Sequence, residues 1–365
     1  MTKKIVLFGA TGFTGRLTAH AMKKRGLVPV LAGRDKMKLE ALTSRLGGLD
    51  IRVADVSDQA SVDALVEEGD VLVTTVGPFA IHGDAALLAA IKKGAHYIDS
   101  TGEPGFIRKV FQECHDWALE KNVALLTASG FDYVPGNCAA GVVLRDEGEK
   151  AVKVDVGYFS PGNFGRSQGT DASIRASLAD PGMVYKSGEL VEEYSGMDAR
   201  AFDVGGKKMS AISVSASEHY SLPRAFPGLD EVGVYMGWFG EKTWMVQSFA
   251  KAQSVLMKVP GIKPLALFLS RRGLKSEGKG PDEKTRAKSH SHIVAEALDA
   301  KGAVLSRAEM VGVNGYDFTA AMLAWMAESA RDGKIIETGA VGPVEAFGLN
   351  ELIQGCGEAG MELRF

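Results

Sequence analysis

Up to about residue 128, short apolar runs alternate with stretches of helical periodicity. Ile5 to Phe8 is an apolar run of strand length, followed by Gly9, Gly12 and Gly15 and then a helical pattern. Val28 to Ala32 forms the next apolar run. Asp35 to Leu46 places Leu39, Leu42 and Leu46 on one helical face, and Ile51 to Val53 reads as a short strand. Ser57 is expected to cap a helix running through Val62, Leu65 and Val66. Val71 to Val76 is nearly all apolar, the pattern of a central strand in a parallel sheet. The pattern then predicts a helix over Asp84 to Lys93, a strand at Tyr97 to Asp99, a helix over Pro104 to Asn122 and a strand over Ala124 to Ala128. Strands and helices in strict alternation predict an α/β fold with a doubly wound parallel sheet of the Rossmann type.

Near residue 150 the texture changes. Val152 to Phe159, Ile212 to Ser217 and Ser291 to Ala300 alternate with period two. The last run is joined through Lys301-Gly302 to Ala303–Val313, the sign of a hairpin. Thr170 to Leu178 reads as a helix, and Tyr220 to Trp244 as rich in loops. The expected organisation is a cofactor domain over residues 1–150 and a second α/β domain, mostly antiparallel, over 151–316 for substrate binding and dimerisation. Helices in 317–365 are expected to pack back on the first domain, with Phe318, Met322, Trp325 and Met326 on one stripe.

Composition narrows the function classes. The chain has 365 residues, 45% hydrophobic and 24% charged, with a net charge of −3, so it has no basic excess for binding nucleic acid. Its three cysteines, Cys114, Cys138 and Cys356, are far apart and form no C-x-x-C pair. They predict no disulfide framework, no metal site and a cytoplasmic location. The N-terminal apolar run is broken by glycine after four residues and reads as a first strand, not a signal peptide. No run is long enough to cross a membrane. Leu256 to Leu269 is apolar and followed by Arg271 and Arg272, which suits either a peripheral membrane contact or a buried core or dimer contact. The second is the working expectation, with a homodimer as the assembly.

The glycines between the first two strands carry the first candidate chemistry. In a β-turn-α-β unit, Gly9 permits the tight turn, Gly12 lets the backbone approach a pyrophosphate, and Gly15 lets helix and strand pack closely. A tight turn without a ligand is the plain alternative. Gly9, Thr11, Gly12, Phe13, Thr14 and Gly15 are the expected phosphate-binding residues, at the positive end of the helix. The end of the second strand then discriminates between cofactors. A unit that binds NAD has an acidic residue there, whereas this chain has Gly33 and Arg34, with Lys36 and Lys38 following. A guanidinium pairs with a 2′-phosphate, so NADP(H) is the expected cofactor. Asp55 is a candidate partner for the adenine or else supports the next helix. Val76, Gly77 and Pro78 are expected beside the nicotinamide end.

Competing signatures fail. None of the eight tyrosines has the lysine four residues on that short-chain dehydrogenases need. Gly165 to Gly169 matches G-x-S-x-G but follows a loop, not the strand that a nucleophile elbow requires. Gly273 to Gly280 approaches a P-loop but lacks the Ser or Thr after Lys279. Polar residues instead gather after the later parallel strands, where one sheet edge would collect them. Hydride transfer needs a positioned proton carrier there. His82, Tyr97, Asp99 and Asp132 are the catalytic candidates, with His82 the natural proton carrier near neutral pH and Glu103 and Tyr133 in reserve. Each could instead serve a turn or a cap.

GATGFTG, Ala32-Gly33-Arg34, TVGPFAIHG, HYIDSTGE and SGFDYVPGN, with GYDFTAAMLAWMAE and TGAVGPVEAFG near the end, occur in the order seen in saccharopine dehydrogenase-like proteins. The chain resembles that family at both ends, and most of all its uncharacterised oxidoreductases and trans-acting enoyl reductases. The resemblance implies an NADP-binding Rossmann domain, a second domain with an antiparallel sheet, and often a dimer. Saccharopine is a tricarboxylate, yet Arg166, Arg175, Arg200, Arg224, Arg271, Arg272, Arg286 and Arg307 form no tight cluster in sequence. The substrate expected is a small molecule, with a hydrophobic or enoyl compound ahead of saccharopine. A protein that binds NADPH without turnover, or one that sits on a lipid surface, is the alternative.

Overall fold

A computed structural model describes residues 3–160, 181–237, 240–256 and 280–365. The expected elements at 165–169, 170–178 and 257–269, and all but the end of 273–280, lie outside the described residues. The chain divides into two compact units. The first comprises Met1–Thr101, Phe106–Val134 and Gly315–Met361, and the second Gly102–Gly105, Pro135–Asn314 and Glu362–Phe365.

In the first unit, β1 (Ile5–Phe8) leads through the glycine turn into α1 (Phe13–Lys24), then β2 (Val30–Gly33), α2 (Lys36–Arg45) and β3 (Ile51–Val53). There follow α3 (Gln59–Asp63), β4 (Val71–Thr74), α4 (Phe79–Lys93), β5 (His96–Asp99), α5 (Pro104–Glu113), α6 (His115–Glu120) and β6 (Ala124–Leu126). All four β1 residues and all four β4 residues are buried, which is why these strands read as unbroken apolar runs. Every pairing is parallel, and the order continues from β6 through β5, β4, β1 and β2 to β3. The Rossmann expectation is met.

Local chemistry moves several boundaries. Asp58, not Ser57, caps α3, its carboxylate accepting the Ala60 and Ser61 N–H groups. Helix α4 begins at Phe79, directly after Pro78, rather than at Asp84. The predicted helix over 104–122 is two helices, interrupted at Cys114. The sixth strand stops at Leu126 because Ala128 turns to a φ of +55°.

The second unit opens with α7 (Val134–Glu147), which a boundary at residue 150 would assign to the first domain. Its strands are β7 (Lys153–Phe159), β8 (Gly182–Lys186), β9 (Glu189–Glu193), β10 (Ala199–Val204), β11 (Lys207–Ser213), β12 (Glu231–Met236), β13 (His290–Leu298) and β14 (Val304–Val313). Helix α8 (Glu218–Ala225) precedes β12, and α9 (Thr243–Leu256) and α10 (Glu283–Lys288) follow it. The sheet is mixed: β12 runs parallel to β7, while β13 is antiparallel to both β7 and β14. The expected strand over 212–217 ends at Ser213, and β12 lies inside the stretch read as loops. In the predicted hairpin, Asp299 Oδ1 accepts the Lys301 and Ala303 N–H groups, so the turn is wider than two residues.

Phe159, Phe202, Val204, Ala211, Tyr235 and Val294 form an apolar cluster in this sheet. Beside it runs a ladder of charges. Arg200 pairs with Asp155 and with Glu296, at 2.5 Å from the latter, and lies 4.9 Å from the Phe202 ring centre. Arg307 pairs with Glu309 and stands 3.6 Å from Glu296, and His292 pairs with Glu309. Folding therefore does bring two of the scattered arginines together, but each is matched by carboxylates.

The chain then returns to the first unit as α11 (Gly315–Arg331), β15 (Gly339–Ala340), α12 (Pro343–Phe347) and α13 (Leu349–Glu358). Helix α11 packs along α1, and β15 adds a seventh parallel strand beside β6. Arg25, at the end of α1, bridges Glu328 at 2.6 Å and Glu358 at 2.8 Å. A last strand, β16 (Met361–Arg364), where the pattern gives no element, borders β14 in the second sheet.

Candidate functional site

The glycine turn has the shape its spacing requires. Gly9 has a φ of +86°, and a Cβ there would come within 2.8 Å of Thr75 Oγ1 and 2.9 Å of a Val76 methyl. The turn thus lies directly against the segment after β4. A Cβ on Gly15 would stand 2.1 Å from the Gly9 carbonyl oxygen, so α1 packs on the turn without room for a side chain. At Gly12 the nearest atom would be that same oxygen, 3.2 Å away. Gly12 is also the N-cap of α1 and has no side chain to occupy the first-turn N–H groups. A bare helix N-terminus with glycine at its cap fits a pyrophosphate. Of the other predicted phosphate-site residues, Thr11 and Thr14 use their carbonyls to accept bonds from Arg16 and Thr18, and the Phe13 ring packs edge-on against Tyr316, centroids 5.1 Å apart.

Arg34 is exposed just past the Gly33↔Val53 pairing of β2 and β3, and Asp55 lies two residues past the same pairing on the other strand. Asp55 Oδ1 accepts from Ser57 N at 2.9 Å and Ser57 Oγ at 2.7 Å. These bonds, with smaller contributions from the charges of Arg34 and His82, hold its carboxyl below the usual range. Asp55 therefore supports the loop that leads into α3. An alanine at Arg34 is expected to weaken NADPH binding by about 1.5–3 kcal/mol, the usual worth of a hydrogen bond to a charged group. NADH binding should hardly change, and fluorescence titration with both cofactors is the check.

Val76, Gly77 and Pro78 join β4 to α4, with Pro78 as the N-cap and a cis Gly77–Pro78 bond. His82 is half-buried in the first turn of α4, rather than in a loop.

Tyr97 and Asp99 project to the same side of β5. Both are fully buried. Asp99 Oδ1 accepts the N–H of Thr101 at 2.8 Å and of Ala128 at 3.0 Å, and its backbone carbonyl accepts Ser129 N–H at 2.7 Å. One side chain thus ties the end of β5 to the loop after β6. Asp99 Oδ2, Tyr97 Oη and Thr127 Oγ1 are buried together without meeting the geometry of a hydrogen bond, although the two hydroxyls are near enough to restrain the carboxyl's pKa. Burial still dominates and raises Asp99 to about 6, while burial and the neighbouring carboxylate push Tyr97 upward.

The raised pKa has a defined stability sign. Unfolded Asp ionises near pH 4. Between there and about 6 the folded carboxyl stays protonated, so stability falls as pH rises through that window and the deficit persists above it. Asn at position 99 would keep an oxygen for the two backbone donors and turn Nδ2 toward Tyr97 and Thr127. Asp99→Asn is therefore expected to melt above the wild type at pH 8, with that advantage shrinking towards pH 4 in parallel thermal melts.

Asp132 stands in the loop after β6, between Phe131 and Tyr133. It retains some exposure, yet enough chain surrounds it that burial alone raises its carboxyl to about 6. It makes no hydrogen bond or ion pair among the described residues. Its loop is held from the C-terminal end of the chain: Thr319 Oγ1 accepts Phe131 N–H at 2.9 Å and donates to the Gly315 carbonyl at 2.7 Å. Phe131 also meets Phe318 edge-on at 6.4 Å, and a Cβ on Gly130 would press on Thr319 at 2.9 Å.

Three sets of contacts link the predicted residues. The glycine turn joins Val76–Pro78; Arg34, Asp55 and His82 gather beyond β2 and β3; Tyr97 and Asp99 form a buried pair. The charge of His82 enters the surroundings of Asp55, whereas burial alone acts on Asp132. Thr127, Tyr316 and Thr319 were not foreseen. A polar residue ending an apolar strand marks Thr127, and GYDFT marks the other two, but helical periodicity presents that segment as core.

Residues 5–126 match the model of the saccharopine dehydrogenase NADP-binding domain. A lipid droplet localized protein of Caenorhabditis elegans is 31% identical over 154 residues, 39% of this chain and 36% of that one. A trans-acting enoyl reductase of Mycobacterium ulcerans is 36% identical over 140 residues, 37% of this chain and 34% of its own. The chain thus spans little more than a third of these relatives. Across 99% of both chains the fold is similar to that of apo saccharopine dehydrogenase (L-Glu forming) from Saccharomyces cerevisiae, with a TM-score of 0.61 and 12% identity. The first unit therefore carries an NADP-binding domain of the saccharopine dehydrogenase family, within a chain that has the saccharopine dehydrogenase fold.

Proposed function

We propose that the protein is an NADPH-dependent oxidoreductase in which Asp132 passes the proton that accompanies hydride transfer. The observation that carries this reading is a half-buried carboxyl without a partner among the described residues, raised to about 6, on a strand-end loop of an NADP-binding domain. In doubly wound sheets, ligands bind at the carboxyl ends of the strands. NADPH supplies a hydride when bound. This chain's residues orient it through the glycine turn, Val76–Pro78 and Arg34, and hold the proton at Asp132. Asp99 keeps the two flanking loops in register, which makes it a positioning residue.

The substrate class we propose is an enoyl thioester or a similar conjugated C=C bond. The name of the Mycobacterium ulcerans relative supports it. So does the commitment of Arg200 and Arg307 to Asp155, Glu296 and Glu309, which removes two cations from the service of a tricarboxylate. NADPH oxidation followed against enoyl thioesters, saccharopine and imines tests the choice. Turnover of saccharopine but of no enoyl compound would reverse it, and tight NADPH binding without any turnover would make the protein a sensor.

The reading includes a cytoplasmic homodimer. Three buried free thiols support a reducing compartment, and sedimentation tests the assembly. A lipid-surface position is the second reading, favoured by the Caenorhabditis elegans relative's name and by Trp244 and Met245, which are 66% and 52% exposed on α9. Among the described residues no helix is long and apolar enough to cross a membrane. Flotation with vesicles separates the two positions.

A further inference from the structure

Two contacts fix α3 alongside α4: Gln59 Nε2 donates to the Ala85 carbonyl at 3.0 Å, and Lys92 Nζ meets Asp63 Oδ2 at 2.5 Å. Contacts at 59 with 85 and at 63 with 92 mean that the helices run in the same sense. Their N-terminal approaches, Asp55–Asp58 and Pro78–His82, consequently lie side by side. Arg34 reaches the same place from the neighbouring strand, because Gly33 pairs with Val53. His82 is thereby placed towards the end of the sheet where the adenosine half of a dinucleotide binds.

Several other charged groups around α4 have partners of their own. Asp58 caps α3, Asp63 pairs with Lys92, and Asp84 pairs with Lys109 of α5 at 2.6 Å. From β5, Tyr97 and Asp99 are buried and interact with each other. Among the described residues, Asp55 has both Arg34 and His82 in its surroundings. Arg34 and Asp55 carry opposite charges, so a protonated imidazole adds to the positive side of this corner.

We propose that His82 is a cofactor-specificity residue: with Arg34 it forms the cationic pair that receives the 2′-phosphate of NADP(H), beside Asp55. The inference rests on the NADP(H) reading and deepens it. NADP⁺ should bind more tightly once His82 is protonated, whereas NAD⁺, with a hydroxyl in place of the phosphate, should be indifferent. Histidine is the side chain whose charge changes between about pH 5 and about pH 8.

Calorimetric titration of NADP⁺ and NAD⁺ into the full chain at both ends of that range provides the test. A phosphate monoester itself gains a proton near about pH 6, so the quantity to read is the ratio of wild-type to His82→Gln affinity at each pH. That ratio is expected to rise roughly three- to tenfold for NADP⁺ at the acid end, a charge-assisted contact reduced by solvent, and to stay flat for NAD⁺. His82→Lys, with a permanent charge, should bind NADP⁺ more tightly than His82→Gln at both ends of the range. A ratio independent of pH, or an equal loss for both nucleotides, overturns the role of His82. Failure of the wild type to bind NADP⁺ at either pH would instead overturn the NADP(H) reading.

Discussion

Asp132→Asn is expected to slow NADPH oxidation by about 10²- to 10⁴-fold with whichever acceptor the protein turns over, the usual worth of a positioned proton carrier. The amide keeps the size of the side chain and loses the proton. NADPH affinity should be unchanged, because the glycine turn and Arg34 are untouched. In the wild type the protonated fraction falls as pH rises through about 6, so reduction should decline above that value and the reverse oxidation should rise. The variant should lose both limbs of that profile. A variant that keeps wild-type turnover would remove Asp132 from the chemistry. Its fold can be checked without a substrate: relieved of a carboxyl that burial disfavours, it should melt no lower than the wild type at pH 8.

The other large effect is expected at Gly15. An alanine methyl there would lie 2.1 Å from the Gly9 carbonyl oxygen and 2.9 Å from Ala10 Cα, both backbone atoms that cannot swing aside. Helix α1 must then lift from β1, at a cost of about 1–3 kcal/mol of the kind seen when packed interiors are overfilled. The shift also displaces the N–H groups offered to the pyrophosphate. Gly15→Ala should lose both thermal stability and NADPH binding. Gly12→Ala separates the two, because its methyl would meet only the Gly9 oxygen, at 3.2 Å, and would project where the phosphates approach. It should bind NADPH poorly yet melt close to the wild type. Equal melting temperatures for Gly15→Ala and wild type would contradict the close packing of α1 on its turn.

The parallel sheet was legible because burial on both faces leaves little choice of residue: Val71, Leu72 and Val73 are wholly buried and can hardly be anything but apolar. The glycine turn was legible because sterics allow nothing else at positions 9 and 15. Strands β8 to β12 were less so. Glu189, Glu192, Lys207 and Lys208 face solvent, which dilutes the alternation. The catalytic candidates were visible as residue types but not as groups. Strand-end loops do converge on one edge of a sheet, but which of them meet depends on how helices pair. The contact of Gln59 with the Ala85 carbonyl, which draws His82 toward Asp55, has no signature in the residues themselves. The Thr319–Phe131 bond joins positions 188 residues apart and is equally silent in sequence.

That bond belongs to a wider feature, the return of the chain through α11 and β15 to the unit in which it began. During synthesis the first six strands leave the ribosome long before their last neighbour exists. Domains generally fold as units and in order of synthesis. Here the order is interrupted: β6 has no outer partner, and α1 no covering helix, until nearly the whole second unit has been made. The nascent nucleotide-binding half must wait with apolar surface uncovered, so a ribosome stalled before residue 315 would present a client for chaperones rather than a finished domain.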